Sequence, residues 1–491
     1  MMNPSVIALL IILAIIGIGS FIGFCAGSRQ TMNLEQWAVG GRGFGLVLVW
    51  LLMAGEAYTT FSFLGASGWA YSRGGPALYI LAYISLAYVV SFFILPPLWE
   101  VGRAHGLQTQ SDFFEKRYGS KLLSGLVAVI GVVFIVPYLQ LQLKGMGIIV
   151  EVASFGEIGR TAAMAIAGAL VAGFVFTSGI HAVARVSILK DLLLLAAAVV
   201  IGIAVPYHWF GGIGSMFKVL ASANPAHLTM PGATRNMGHA WYLSTVLLTG
   251  LGAYMWPHLI GSCFTARSAD TLRRNAIVMP LYTLTLPFIF FAGFAAVLIV
   301  PGLRDGDLSL LTVVQKTFPP WFLGIVGGAG ALTAMVPSAI LILTAATLFA
   351  KNFYRPIIAP SMSDDRVAKL ARWTSVALMA VALFFTLTSG KTIVALLLIG
   401  YAGVSQFFPG IVLGLFWSRA SRAGVFSGLV VGITAVAFLI LSGRDPFLEL
   451  NAGFAALILN FAVTVVVSLL SCSQAREITR PSPVAGMKGV C

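Results

Sequence analysis

Long apolar runs separated by short polar gaps follow one another along the whole chain. A helix that crosses a bilayer needs about 20 apolar residues, and thirteen runs are near or above that length. The pattern therefore predicts an all-α integral membrane protein with about thirteen transmembrane helices. The runs lie near residues 4–27, 45–71, 76–101, 122–150, 161–182, 186–209, 241–265, 276–300, 321–350, 372–389, 392–417, 423–442 and 452–471.

The two ends of the chain suggest how it enters the membrane. No basic residue precedes the first run, and the first one in the chain is Arg29, behind that run. A cleaved signal peptide begins with positive charge, so we expect a retained helix with its N-terminus outside. Residues 1–472 are predicted to form a single transmembrane domain. The polar segment 473–491 contains Pro481 and Pro483 and is predicted to be a disordered cytoplasmic tail.

The distribution of basic residues supports this topology. With the N-terminus outside, twenty of the 30 Lys and Arg residues fall in segments that face inward and eight in segments that face outward. Cytoplasmic loops of membrane proteins carry an excess of Lys and Arg. Twelve helices would put every later loop on the wrong side. We therefore expect a multi-pass protein of the cell (inner) membrane with its C-terminus in the cytoplasm.

Composition excludes several classes of protein. The chain has 491 residues, of which 59% are hydrophobic and 9% charged, whereas soluble domains average about 25% charged residues. The basic residues behind the net charge of +14 lie in gaps between apolar runs, so no nucleic-acid partner is expected. Four cysteines form no disulfide framework. No P-loop, metal-ligand cluster or nucleophile elbow is present, so we expect no enzyme activity, no metal and no cofactor.

Two apolar runs are interrupted in a related way. Residues 53–60 of the second run and 249–258 of the seventh each place glycine, polar groups and an aromatic at mid-depth. They lie five helices apart, as the first helices of two five-helix repeats would, roughly over 43–209 and 241–418. Broken helices of inverted repeats expose backbone groups that bind ions and substrate. We therefore predict a five-plus-five inverted repeat with broken first helices.

Several segments carry a resemblance to a known family. They are residues 111–119 (Ser-Asp-Phe-Phe-Glu-Lys-Arg-Tyr-Gly), 178–183 (Ser-Gly-Ile-His-Ala-Val) and 408–419, which begins Phe-Pro-Gly. With the thirteen runs and the broken second helix, the chain resembles the sodium:solute symporter family over nearly its whole length. The resemblance implies the amino-acid/sodium symporter-type fold and secondary active uptake.

Within that family the chain is most similar to the bacterial monocarboxylate permeases. This resemblance implies a symporter that takes up a small organic anion, a short monocarboxylate, with a coupling cation. Its partners would be that solute, the ion and the lipid bilayer, with no obligatory protein partner. An alternative is a sodium-coupled symporter for an amino acid or another carboxylate, and a membrane sensor or channel is a remote one. The segments that carry the resemblance to the monocarboxylate permeases are residues 137–145, 256–258, 273–276 and 335–339.

One departure from the family bears on the coupling ion. Aligned on residues 352–354, the Ser/Thr hydroxyls that complete a sodium site in the ninth helix of family members fall on Val336 and Pro337. Only Ser338, one residue further on, offers an oxygen. In the sixth helix Lys190 matches a family glutamine. Hard cations bind through several oxygens, so these replacements favour the proton over sodium.

Lys190 is the predicted substitute for the sodium ion. A lysine in the middle of a membrane helix costs roughly 2.5–3.5 kcal/mol on insertion scales. We hypothesise that its ammonium group occupies the ion's place, held by Glu56 or by backbone carbonyls, and that it titrates with Glu56 as a candidate partner. The alternatives are that Lys190 extends towards the inner face and that Glu56 caps a half-helix.

Six further residues are candidates for substrate binding. Each also has a structural interpretation: threonines bond back to their own helix, Lys144 reaches the outer interface, and an aromatic pair packs together. Lys144 lies one helical turn after Gln140, so the two share a face. Trp256 is predicted to wall an apolar pocket and His258 to donate to a carboxylate. The six are Thr59, Thr60, Gln140, Lys144, Trp256 and His258.

Overall fold

A computed structural model describes residues 3–27, 40–177, 180–234 and 237–471, and nearly all of this part is helical. The predicted tail, 473–491, lies outside the described residues. The α-helices are α1 (Pro4–Gly27), α2 (Leu46–Ala57), α3 (Ala66–Ser72), α4 (Tyr79–His105), α5 (Gln110–Tyr118), α6 (Lys121–Ala153), α7 (Arg160–Thr177), α8 (Ile180–Phe210), α9 (Ile213–Ala223), α10 (His239–Gly252), α11 (Pro257–Phe264), α12 (Ala269–Val278), α13 (Pro280–Thr283), α14 (Leu286–Ile299), α15 (Ser309–Thr317), α16 (Pro320–Thr347), α17 (Asp364–Thr388), α18 (Ile393–Val404), α19 (Phe408–Phe416), α20 (Arg422–Leu441) and α21 (Ala452–Leu470).

Every one of the thirteen predicted apolar runs falls on helical structure within the described residues. By length and composition, ten continuous helical segments can cross a membrane, and a bent pair, Leu46–Glu56 with Phe61–Ser72, makes up to eleven. The other two runs coincide with α7 and with α10 and α11. The all-α prediction is confirmed, while the number of spans rests on how the shorter helices are counted.

The first predicted break is present at the end of α2. The helix stops at Ala57 because Tyr58 takes a non-helical conformation, with φ −100° and ψ 82°. A π-helical turn, Phe61–Gly65, then leads into α3, and the chain direction changes by 56° across the break. The break leaves carbonyl groups near Gly55 and Glu56 outside the regular helical ladder.

The second predicted break separates α10 from α11. A short 3-10 turn, Ala253–Met255, follows α10, and Trp256 is extended, with φ −62° and ψ 128°. Pro257 then occupies the first turn of α11, where its missing N–H group costs nothing. Both breaks therefore lie where glycine or proline in the sequence weakens the helix.

The broken helices pack among long continuous ones. Helices α6 and α16 contact each other, α1 and α2 both contact α8, and α18 contacts α6. Three glycines of α16, Gly324, Gly327 and Gly328, lie directly against side chains of α1, and such small residues let membrane helices approach closely. Large apolar side chains such as Phe21, Phe93 and Leu441 point outward. An apolar exterior of this kind suits a lipid environment.

Candidate functional site

A lysine from α8 reaches the first helix break. The Nζ atom of Lys190 donates to the carbonyl oxygen of Gly55 at 2.8 Å, and the Lys190 side chain is fully buried. A Cβ atom added to Gly55 would lie 2.8 Å from that Nζ, closer than a carbon atom can pack. Glycine at position 55 is therefore needed for the ammonium group to approach the carbonyl oxygen.

The charge of Lys190 has a partner on its own helix. The Nζ atom lies 3.2 Å from Oδ1 of Asp191, and the hydroxyl of Tyr282 on α13 donates to the same oxygen at 2.9 Å. Both members of the pair are buried. No ion pair between Lys190 and Glu56, the predicted partner, occurs in the described residues. The sequence offers Asp191, which directly follows Lys190, as a partner for a nearby basic group.

The two helix breaks face a common cavity of about 40 Å³. Its walls come from α2, α4, α6, α11, α18 and the turn between α10 and α11, and they are mainly aromatic. Among the described residues that line it there is no lysine or arginine. The lining residues are Met53, Glu56, Phe61, Tyr83, Ile84, Ala87, Tyr88, Tyr138, Ala253, Tyr254, Trp256, His258, Leu259, Leu397 and Tyr401.

Glu56 and His258 meet across this cavity. Oε2 of Glu56 and Nε2 of His258 are 3.4 Å apart, and both side chains are buried. Neither carboxylate oxygen and neither ring nitrogen has a hydrogen-bond partner among the described residues. Buried polar groups in proteins are normally paired. An acid and a base that lie 3.4 Å apart at the wall of a cavity, without hydrogen-bond partners in the described residues, are therefore candidates for contact with a solute.

Trp256 lies between two tyrosines in the same wall. Its ring centroid is 4.9 Å from that of Tyr138 and 5.4 Å from that of Tyr401. The Tyr138 hydroxyl donates to the carbonyl of Glu56 at 2.9 Å. Tyr138 on α6 therefore contacts the first break through its hydroxyl and the second break through its ring. Tyr138 lies inside the segment 137–145, but the sequence did not single it out because tyrosines are common packing residues.

The two predicted threonines lie at the first break but do not line the cavity. The hydroxyl oxygen of Thr59 accepts from the backbone N–H of Phe61 at 3.2 Å. The methyl group of Thr60 packs against Gly145, and its buried hydroxyl oxygen has no hydrogen-bond partner in the described part of the chain. Their predicted contact with substrate stays a prediction.

Three other predicted residues also lie outside the lining. Ser338 is fully buried and donates to the carbonyl of Ala334 at 2.7 Å. Gln140 is buried on α6, and Lys144 on the same helix is engaged in an ion pair. The structure thus brings together Glu56, Trp256 and His258 at the cavity, places Lys190 at the adjacent break, and leaves the others apart.

Lys144 binds acidic groups rather than facing the cavity. Its Nζ lies 2.6 Å from Oδ2 of Asp307 and 3.2 Å from Oδ2 of Asp305. Asp307 Oδ2 also accepts from the backbone N–H of Ile393 at the start of α18, at 2.9 Å. Burial raises the pKa of Asp307 above its usual value, and the Lys144 ammonium opposes that shift. This pair joins α6, α18 and the turn before α15.

A second cluster of charges connects α5 with the π-helical segment Leu348–Ile358, which follows α16. The carboxylate of Asp112 accepts from Lys351 at 2.9 Å and from Asn352 at 2.7 Å. Burial acts to raise the pKa of Asp112, but Lys351, a Gln108 backbone amide and Asn352 outweigh it, so this pKa lies below its usual value.

Helix α5 also supports the second break. Gln110, the first residue of α5, donates from Nε2 to the carbonyl of Met255 at 2.8 Å. That carbonyl lies in the 3-10 turn between α10 and α11. The side chain of Gln110 is buried, so it satisfies a backbone group that water does not reach.

Two broken helices around a buried cavity, with long helices packed about them, are typical of secondary transporters. Residues 37–432 match the model of the sodium:solute symporter family. The chain belongs to that family, and its helices make it an integral membrane protein.

Comparisons with single proteins agree with the family assignment. The chain is 45% identical to the uncharacterized symporter YhjB of Bacillus subtilis, with 94% of this chain and 97% of that protein covered. It is 29% identical to the monocarboxylate transport permease protein of Rhizobium johnstonii, with 89% and 91% covered. Its fold is that of a Na⁺-coupled sialic acid symporter, at a TM-score of 0.79 and 16% identity, with 96% and 99% covered. The predicted symporter-type fold is confirmed.

Proposed function

We propose that this protein is a proton-coupled symporter that takes up a short monocarboxylate, with Lys190 and Glu56 as coupling residues. The observation that carries the proposal is the Lys190 ammonium at 2.8 Å from the carbonyl of Gly55. Carbonyls freed at a broken helix are ligands for a coupling cation. A cation supplied by the chain at that carbonyl takes the place in which an external sodium ion would bind.

The surroundings of Ser338 support the same choice of ion. Its hydroxyl donates to its own helix, at Ala334, and Val336 and Pro337 beside it have no side-chain oxygen. A sodium ion requires several oxygen ligands. Lys190, by contrast, needs only the one carbonyl of Gly55 and its neighbour Asp191.

The size of the cavity supports a short solute. A single water molecule needs a cavity of about 10–15 Å³, and this cavity has a volume of about 40 Å³. It therefore suits an acid with two or three carbons better than a long one. The similarity to a monocarboxylate permease over 89% of this chain points to the same chemical class.

His258 and Trp256 would recognise the two ends of such a solute. His258 has ring nitrogens without partners in the described residues and can donate to a carboxylate. Trp256, between Tyr138 and Tyr401, offers an apolar face to the acyl chain.

A second candidate is a symporter for an amino acid. Glu56 and five tyrosines line the cavity, whose described walls contain no lysine or arginine. A carboxylate among aromatic rings also suits the ammonium group of a zwitterion.

Uptake by the purified protein in liposomes tests the proposal. Labelled acetate, lactate, pyruvate and proline are offered while the sodium gradient and the pH gradient are varied separately. We expect accumulation of a short acid that follows the pH gradient at fixed sodium. Accumulation that follows sodium at fixed pH would refute proton coupling, and uptake of proline alone would favour the second candidate.

A Lys190→Ala variant tests the coupling role in the same vesicles. Its ammonium group is absent, so the Gly55 carbonyl and Asp191 both lose their partner. We expect proton-driven accumulation to be lost. Accumulation at the wild-type level would count against a role of Lys190 in coupling.

A further inference from the structure

We infer that Asp191 and Tyr282 hold Lys190 as a permanent cation at the first helix break, and that Glu56 alone carries the coupled proton, so that one proton enters with each monocarboxylate and no net charge moves. This inference rests on the proposed function and deepens it by assigning the two coupling residues different tasks.

The contacts of Lys190 are those of a fixed charge. Its Nζ has an anionic partner in Asp191 at 3.2 Å and a carbonyl partner in Gly55 at 2.8 Å. The Tyr282 hydroxyl donates to Asp191 Oδ1, the oxygen that faces the ammonium group, while Oδ2 of Asp191 is buried without a hydrogen-bond partner in the described residues. Lys190 and Asp191 together are neutral, so this unit needs no proton exchange to stay buried.

Within the described residues, the Glu56 carboxylate is held by fewer hydrogen bonds than the Lys190 ammonium group. It lines the cavity, both of its oxygens are without hydrogen-bond partners in the described residues, and the imidazole of His258 lies 3.4 Å away. A second carboxylate can share such a site only if one of the two holds a proton. Binding of a monocarboxylate therefore requires protonation of Glu56.

The charge balance of one cycle follows from these two roles. On loading, a proton from water forms an O–H bond on the Glu56 carboxylate, and the substrate anion enters beside it. On release, that O–H bond breaks, the proton returns to water, and the anion leaves. The cavity carries one negative charge both when empty, on Glu56, and when loaded, on the substrate. The protein thus moves a neutral pair in each direction.

Ionisable groups on the neighbouring helices are compatible with this assignment. Helix α16 contains none. Helix α12, which packs on α2, carries Asp270 and Arg274 as an exposed pair, with Arg273 beside them. Lys190 and Asp191 interact electrostatically with Glu56, and His258 lies 3.4 Å from it. The other titratable groups of the cavity wall are the tyrosines Tyr83, Tyr88, Tyr138, Tyr254 and Tyr401.

Transport of labelled acid by wild type, Glu56→Gln, Asp191→Asn and the control Asp270→Asn in liposomes tests the inference. Asp270 is exposed, and its variant should match wild type. In wild type a pH gradient should drive accumulation, and a potassium diffusion potential set with valinomycin should not. Glu56→Gln should keep exchange of labelled for unlabelled acid but lose accumulation at least tenfold. Potential-driven uptake in wild type, or pH-driven accumulation in Glu56→Gln, would overturn it.

Asp191→Asn should behave differently from Glu56→Gln. It should keep pH-driven accumulation but transport more slowly, because the Lys190 ammonium loses its anionic partner. Tyr282→Phe should show a smaller reduction of the same kind, and it replaces Asp191→Asn as the test if that variant does not fold. Loss of coupling in Asp191→Asn with exchange intact, or wild-type rates in both variants, would overturn the inference. Absence of pH-driven uptake in wild type would instead refute the proposed function.

Discussion

Lys190 and Gly55 are 135 positions apart in the chain, and the ammonium of one donates to the carbonyl of the other at 2.8 Å. The contact exists because α2 ends within two residues of Gly55 and because Gly55 has no side chain to obstruct the approach. It joins the first broken helix to α8.

Gly55→Ala should impair transport because its Cβ would lie 2.8 Å from the Lys190 Nζ. A hydrogen bond to a charged group contributes about 1.5–3 kcal/mol, so initial uptake should fall by about 10- to 100-fold. Gly17→Ala in α1 is the matched control, since a Cβ there meets no atom within 4 Å. Equal uptake rates in the two variants would show that the close approach is not required.

Trp256→Leu should broaden the range of transported acids. The indole fills the wall between Tyr138 and Tyr401, and a smaller side chain leaves more space for an acyl chain. Competition by unlabelled acids of increasing length measures the effect, and the preference should move towards longer acids by about tenfold, or about 1.4 kcal/mol. Trp373→Leu is the control because Trp373 is 74% exposed. An unchanged order of competitors would argue against Trp256 as a wall of the substrate site.

Removal of one partner of the Lys144–Asp307 pair should destabilise the protein. Lys144→Met removes the only cationic partner of Asp307 in the described residues, and loss of one member of a buried pair costs about 3–5 kcal/mol. Asp307→Asn should cost less, because Lys144 keeps Asp305 at 3.2 Å. The double variant should recover part of this cost, and denaturant unfolding in detergent measures the cycle. The exposed pair Asp270–Arg274 is the control, with an expected cost below about 1 kcal/mol. Strictly additive losses would mean that the two residues do not interact.

Asp112 should make stability depend on acid pH. Its pKa in the folded chain lies below its usual value, so its contribution is complete above the pKa of the unfolded chain and is lost as the pH falls through the folded pKa. The unfolding midpoint of wild type should therefore drop on acidification more steeply than that of Asp112→Asn. Asp364→Asn, at an exposed carboxylate, should follow wild type. Parallel curves for wild type and Asp112→Asn would contradict the assignment.

Local signals in the sequence were sufficient for the helices and their breaks. Apolar runs of spanning length predicted the helices. Gly55 and Pro257 marked the two breaks because a residue without a side chain and one without an N–H group weaken the helical ladder.

Side-chain partners were predicted less well. Glu56 was expected beside Lys190, but its neighbour is His258, and Lys190 pairs with Asp191. Lys144 was expected at the substrate but is bound by Asp307. To predict these contacts one must know which helix faces pack against each other, and local sequence patterns do not contain that information.

The sequence by itself therefore determined the class of this protein, its helices and the two points at which helices break, because these follow from hydrophobicity and backbone chemistry over short stretches of chain. Only the tertiary structure decided which charges meet. A buried charge is stable only with a partner, and the packing of α2, α8 and α11 places Lys190 beside Asp191 and the carbonyl of Gly55, and Glu56 beside His258.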